Sequence, residues 1–146
     1  MDSILVFIDG TICDTRHRNH LLGTSEFYLE NNILNDLPTP GSVECMMELS
    51  HKYNLIYIGA RPNSYVNITK KWLNKVGFPD GDVYLEKNQQ DRMQIAMELK
   101  TRNHFIAGIG DRWDDNELYL AIGCKSIILK EFEPNWDTVR RYLLKS

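Results

Sequence analysis

No segment of the sequence approaches the roughly 20 consecutive apolar residues that span a bilayer, and the apolar run near the N-terminus is only Ile4-Leu5-Val6-Phe7-Ile8. Membrane insertion and secretion are therefore not expected. Cysteine is scarce: Cys13, Cys45 and Cys124 are odd in number, far apart and without C-x-x-C spacing, which excludes a disulfide framework and leaves no zinc or dithiol motif. Reduced, buried thiols in a cytoplasmic protein are the expectation. A basic excess is missing as well. With a formal net charge of -3, the chain does not hold nucleic acid through bulk charge, and only the cluster Arg16-His17-Arg18-Asn19-His20 offers positive charge to an anion. His17 and His20 lack the partners and spacing of a metal site and read as part of an exposed flap. Low-complexity segments are absent.

What remains is ordinary globular material. The 146 residues, 42% hydrophobic and 25% charged, suit one domain over residues 1–146 that buries about 70% of its unfolded surface in a single core. Short runs rich in β-branched residues read as buried strands: Ile4 to Ile8, Leu55 to Ile58, Asp82 to Leu85, Phe105 to Ile109 and Ser126 to Leu129. Between them lie helical patterns. Tyr65, Ile68, Trp72 and Val76 fall at helical spacing before Gly77, the residue a helix stop favours. Val43, Met46, Met47 and Tyr53 suggest a second helix, opened by Ser42. Met93, Ala96 and Met97 stripe a third from about Asp91, Asp114 sits at the N-cap of a fourth, and Trp136, Val139 and Leu143 mark the last. Alternating strands and helices predict right-handed crossovers and a three-layer α/β/α, Rossmann-like parallel sheet. Residues 14–40 break the alternation and read as a small helical flap or cap that leaves the site fairly open.

In an open parallel sheet ligands sit beyond the carboxyl ends of the strands, which directs attention to four turns. These are Asp9-Gly10-Thr11, Gly59-Ala60-Arg61-Pro62, Glu86-Lys87-Asn88 and the run from Gly110 to Asp115. Carboxylates gathered at one edge repel each other unless a cation compensates them. Mg²⁺ is typically held by one or two carboxylates plus a substrate phosphate, so Asp9, Asp111 and Asp115 are the candidate metal ligands. Arg61 is a candidate phosphate contact, with a surface role as the alternative. Lys87 is a candidate charge-neutralising group, with Lys100 and Arg92 as alternatives from the next helix. The three tryptophans are expected to pack, Trp113 in the acidic loop being the one placed to meet a ligand.

These residues resemble a known family. Ile8-Asp9-Gly10-Thr11-Ile12 is similar to the end of the DxDGT motif of haloacid dehalogenase superfamily phosphatases, and Gly110-Asp111-Arg112-Trp113-Asp114-Asp115 to their GDxxxD motif. The stretch Asp14 to Arg18 and the pair Asp111-Arg112 further resemble the phosphatase half of polynucleotide kinase-phosphatases. The resemblance implies Mg²⁺-dependent phosphotransfer: a nucleophilic aspartate, a second aspartate two residues later as acid and base, a Ser or Thr on the second strand, and a Lys or Arg gripping the phosphate. Two positions depart from it. Phe7 occupies the nucleophile's place, and Gly59 stands where a hydroxyl is usual. A shifted register would instead make Asp9 the nucleophile and put Thr11 two residues on, with Lys87 completing the catalytic set.

Two readings follow. One is a phosphohydrolase acting on a small phosphomonoester or a nucleic-acid end. The other is a pseudophosphatase that keeps metal and phosphate affinity without turnover, since losing a central nucleophile costs on the order of a million-fold in rate. An aspartate-phosphorylated receiver is disfavoured because the second acidic cluster follows the fourth strand rather than the third.

Overall fold

In the computed structural model, which describes residues 1–145, the chain runs β1 (Ser3–Phe7), β2 (Cys13–Asp14), a 3-10 helix over Arg16–Leu21, α1 (Glu30–Leu34), β3 (Leu37–Pro38) and α2 (Ser42–Ser50). It continues through β4 (Asn54–Gly59), α3 (Val66–Val76), β5 (Asp82–Leu85), α4 (Gln89–Lys100), β6 (Phe105–Gly110), α5 (Trp113–Ala121), β7 (Lys125–Ile128) and α6 (Trp136–Leu143). Five strands form one parallel sheet in the order β5-β4-β1-β6-β7. The chain moves outward from β1 to β5 and then returns to β1's other side as β6. The connections therefore diverge between the carboxyl ends of β1 and β6, where Asp9 and Asp111 emerge.

Both faces of the sheet are covered, which is why β1 is apolar throughout except for Ser3. Side chains alternate along β1 and into Ile8 just after it: Ile4, Val6 and Ile8 pack with α2, α3 and α6, whereas Leu5 and Phe7 pack with Ala96 and Leu99 of α4 and Leu118 and Tyr119 of α5. Close approach fixes α5 against β6. A Cβ at Gly108 would overlap the Tyr119 ring, and the Tyr119 hydroxyl donates to the Ile109 carbonyl at 2.6 Å. Among the described residues no helix is long and apolar enough to cross a membrane.

The strands stand where the apolar runs place them, and α3 ends at Gly77 with φ of 99°. Three details differ. The buried face of α4 is Arg92, Ala96 and Leu99, spaced i, i+4, i+7, while Met97 turns outward. Tyr53 lies beyond α2 rather than on its stripe. Asp114 is not the N-cap of α5; Arg112 holds that position, and the Asp115 carboxylate caps the helix from within.

The segment 14–40 is pinned down rather than loosely exposed. β2 and β3 pair antiparallel, and behind them Arg18 and Asp36 form a buried two-bond ion pair, Nε to Oδ1 and Nη2 to Oδ2 both at 2.9 Å. The third arm of Arg18 donates to the Phe27 carbonyl at 3.0 Å, while the Asp36 carbonyl accepts from Trp72 Nε1 at 2.9 Å. His17 Nε2 also meets Asp36 Oδ1, at 2.6 Å. A carboxylate with this many partners satisfies the condition for burying charge, so the flap is part of the core's polar wall.

A candidate cation and phosphate site at the sheet edge

Asp9 emerges from β1 facing Arg61, which leaves β4 in the Gly59–Pro62 turn. Arg61 clamps it with both forks, Nε to Oδ2 at 3.1 Å and Nη2 to Oδ1 at 2.7 Å, while Nη1 donates to Thr69 Oγ1 of α3 at 2.9 Å. Arg61 is 1% exposed and also lies 3.5 Å from Asp36, which corrects the alternative of a surface guanidinium. Burial pushes the Asp9 carboxyl up, but the charge and hydrogen bonds of Arg61 outweigh it and hold the group below the usual carboxylate range. Asp9 is thus kept ionised.

On the other side of the edge, Gly10 brings the first loop against Asp111. Its φ of 91° suits glycine, and a Cβ there would overlap Asp111 Oδ2. Thr11, fully buried, donates to Asp111 Oδ1 at 2.7 Å and so orients that carboxylate. The other oxygen, Oδ2, is buried and without a hydrogen-bond partner. Burial, opposed only partly by the Thr11 bond and reinforced by the charge of Asp115, pushes Asp111 up to about 7. Asp115 is 3% exposed; its Oδ2 accepts the backbone N–H groups of Asp111 and Arg112 at 3.0 and 3.1 Å. An orphaned, buried carboxylate oxygen beside a second carboxylate has the donor chemistry that a hard cation takes. Among the described residues, no three His, Cys, Asp or Glu side chains are placed as a ready ligand group, and Asp9 is bonded to Arg61 instead.

Phe7 is 2% exposed and belongs to the apolar cluster under α4 and α5. At Gly59 a Cβ would stand 2.9 Å from Leu85 Cδ2 and 3.3 Å from Ile8 Cδ1, so apolar side chains fill the space around it. Lys87 is exposed, and its backbone carbonyl is held by Arg92 Nη1 at 2.8 Å, as is that of Glu86. Arg92 itself is buried, its Nε lacks a partner, and burial lowers its pKa against the favourable charges of Asp115 and Asp114. It, rather than Lys87, is the cation that the fold turns inward. Trp113 is 77% exposed at the start of α5. The segment after β7 closes the edge: the Leu129 N–H donates to the Gly110 carbonyl and the Phe132 N–H to the Gly10 carbonyl, both at 2.8 Å. Arg18, Asp36 and Thr69, which complete the polar wall, carried no motif in the sequence; the nearest hint was the position of Arg18 in the resemblance to kinase-phosphatases.

No family model matches the chain. A Bacillus cereus protein named "Putative nucleotidase" is 32% identical over 89 residues, which cover 56% of this chain and 43% of that protein. Among solved structures, a haloacid dehalogenase-like hydrolase of Streptococcus pneumoniae superposes with a TM-score of 0.70 at 17% identity, covering 96% of this chain and 90% of that one. The class C acid phosphatase of Bacillus anthracis with tungstate bound gives 0.65 at 19% identity, covering 99% and 80%. A chain of the Pnkp1/Rnl/Hen1 RNA repair complex gives 0.66 at 16% identity, covering 89% and 42%. The five-stranded parallel sheet between helical layers is therefore the haloacid dehalogenase-like fold, seen also in the class C acid phosphatase and in the chain of the RNA repair complex.

Proposed function

We propose that this chain binds the phosphate of a small phosphorylated ligand together with Mg²⁺ at the carboxyl edge of β1 and β6, and that it does not turn that ligand over through an aspartyl-phosphate. The burial of Phe7 carries the second half of the reading. The residue two before Asp9 faces the core between α4 and α5, and a phenyl ring offers no oxygen to phosphorus. Asp9 does not replace it, since both its oxygens are engaged by Arg61 and its low pKa removes the proton a general acid must carry.

The binding half rests on Asp111. Its partnerless Oδ2 would hold the cation, with the carboxylates of Asp9 and Asp115 supplying further negative charge. When bound, Mg²⁺ neutralises phosphate charge. Arg92, buried at the start of α4 and bonded to the Glu86 and Lys87 carbonyls, adds positive charge near Asp115. The tungstate in the Bacillus anthracis phosphatase, an oxyanion on the same fold, agrees with an anion site here. Free, buried thiols at Cys13, Cys45 and Cys124 suit a reducing cytoplasm.

A phosphohydrolase remains the second reading, favoured by the nucleotidase relative, with Asp9 released from Arg61 in the working state. Calorimetric titration of inorganic phosphate, with Mg²⁺ or with EDTA, tests the binding claim. The expected result is Mg²⁺-dependent binding weakened at least about tenfold in Asp111→Ala, in line with the loss of one tuned ligand contact. Binding that survives both EDTA and Asp111→Ala would overturn it.

A further inference from the structure

Thr39 stands between Pro38 and Pro40, so its N–H is the one backbone donor in that tripeptide, and the proline that follows biases its backbone toward an extended form. Both of its donors are spent on the loop after β1. The Thr39 N–H reaches the Ile12 carbonyl at 3.0 Å, and its buried hydroxyl reaches the Thr11 carbonyl at 2.7 Å. The Thr39 carbonyl in turn accepts the N–H of Ser42 at 3.0 Å and its hydroxyl at 2.6 Å, where α2 begins. Thr11 is left little freedom. Its N–H donates to the Ile8 carbonyl at 3.2 Å, its carbonyl is taken by Thr39, and its β-branched side chain has few rotamers. What remains is its hydroxyl, which engages Asp111 Oδ1 at 2.7 Å and leaves Oδ2, beside Gly10, without a partner.

We infer that Thr39 is a positioning residue for the cation: acting through Thr11, it fixes which oxygen of Asp111 is free, and so joins the end of the flap at β3 to cation affinity. This role presupposes the cation held at Asp111 Oδ2, as proposed above. Groups that orient a ligand's own hydrogen-bond partner tune a metal site without touching the metal. Because coupling is reciprocal, the cation that favours an oriented Asp111 also favours the closed state of the Thr39 bonds. The amide between the two prolines reports that state directly.

Titration with Mn²⁺, a stand-in for Mg²⁺ at oxygen ligands, followed by the free-ion EPR signal, compares wild type, Thr39→Val, Thr39→Ser and Tyr53→Phe. Tyr53→Phe is the control, since it deletes another buried hydroxyl-to-carbonyl bond, to Leu143 at 2.7 Å, just before β4 begins at the amino end of the sheet. Thr39→Val and Tyr53→Phe should both lower the urea midpoint. Only Thr39→Val should weaken Mn²⁺, by about tenfold, the low end of what partners outside the ligand shell contribute. Thr39→Ser should bind as wild type does. In wild type, Mg²⁺ should slow hydrogen exchange of the Thr39 amide, read by NMR. Undiminished affinity in Thr39→Val, equal weakening in Tyr53→Phe, or no recovery in Thr39→Ser overturns the role of the Thr39 hydroxyl and leaves the cation site standing. Should Thr39→Val not fold, unchanged exchange at Thr39 with the site saturated overturns it. A wild type that binds no Mn²⁺ overturns both the role and the cation site.

Discussion

Arg61 is the residue on which the site's electrostatics turn. It is buried, clamps Asp9 with two bonds and approaches Asp36, so replacing it by Ala strands carboxylates that cannot all reach water. Breaking a buried pair in this way costs about 3–5 kcal/mol, toward the low end here because Asp9 is partly exposed. Arg61→Ala should lower the urea midpoint accordingly, and Arg61→Lys should recover little, since a single ammonium does not reproduce a fork that reaches Asp9 and Thr69 together. Phe7 and Gly59 give a second prediction. Restoring the family's pattern with Phe7→Asp and Gly59→Thr places a carboxylate in an apolar cluster and a side chain against Leu85, so the double variant should lose several kcal/mol of stability and gain no activity. Denaturation and phosphate release on one preparation check both. The placement of Asp9, Asp111 and Asp115 at the carboxyl edge of the sheet was legible from two motifs, but the clamp on Asp9 was not, because Asp36 and Thr69 reach Arg61 only through tertiary packing.

At the scale of elements, α5 and the flap owe their placement to carboxylates the sequence presents as ordinary. Asp115 reads as a metal ligand from its spacing, yet its visible contacts are to the N–H groups that open α5. Asp115→Ala should cost about 1–2 kcal/mol through the lost cap even with no divalent cation present, measured by thermal unfolding in EDTA. The flap depends on Asp36 in the same way. Strands and helices were legible because their apolar periodicities are local, whereas the flap's anchoring joins residues 18, 36, 61 and 72, which no period connects. The misreading of the α4 stripe has a similar origin. Arg92 is polar by type but faces inward, held by the Glu86 and Lys87 carbonyls, so hydrophobicity alone turned the helix by one residue.

Over the whole molecule, two well-packed apolar layers support one polar edge. All three thiols lie inside those layers, and burial pushes Cys45 and Cys124 up to about 11 and Cys13 well above its ordinary value. Because a raised thiol pKa keeps the group neutral until strongly alkaline pH, native protein at pH 8 should resist iodoacetamide, while urea-unfolded protein should take up three equivalents, read by mass spectrometry. The same rigid frame fixes which groups reach a ligand: the ring at position 7 is held away from it, and the free oxygen of Asp111 is held toward the loop at Gly10. The central claim is binding without turnover. Phosphate release from a panel of nucleoside monophosphates and p-nitrophenyl phosphate, with Mg²⁺ against EDTA, tests it most directly: no chelator-sensitive release above the uncatalysed rate is predicted, and Mg²⁺-dependent release abolished by Asp9→Asn would contradict it.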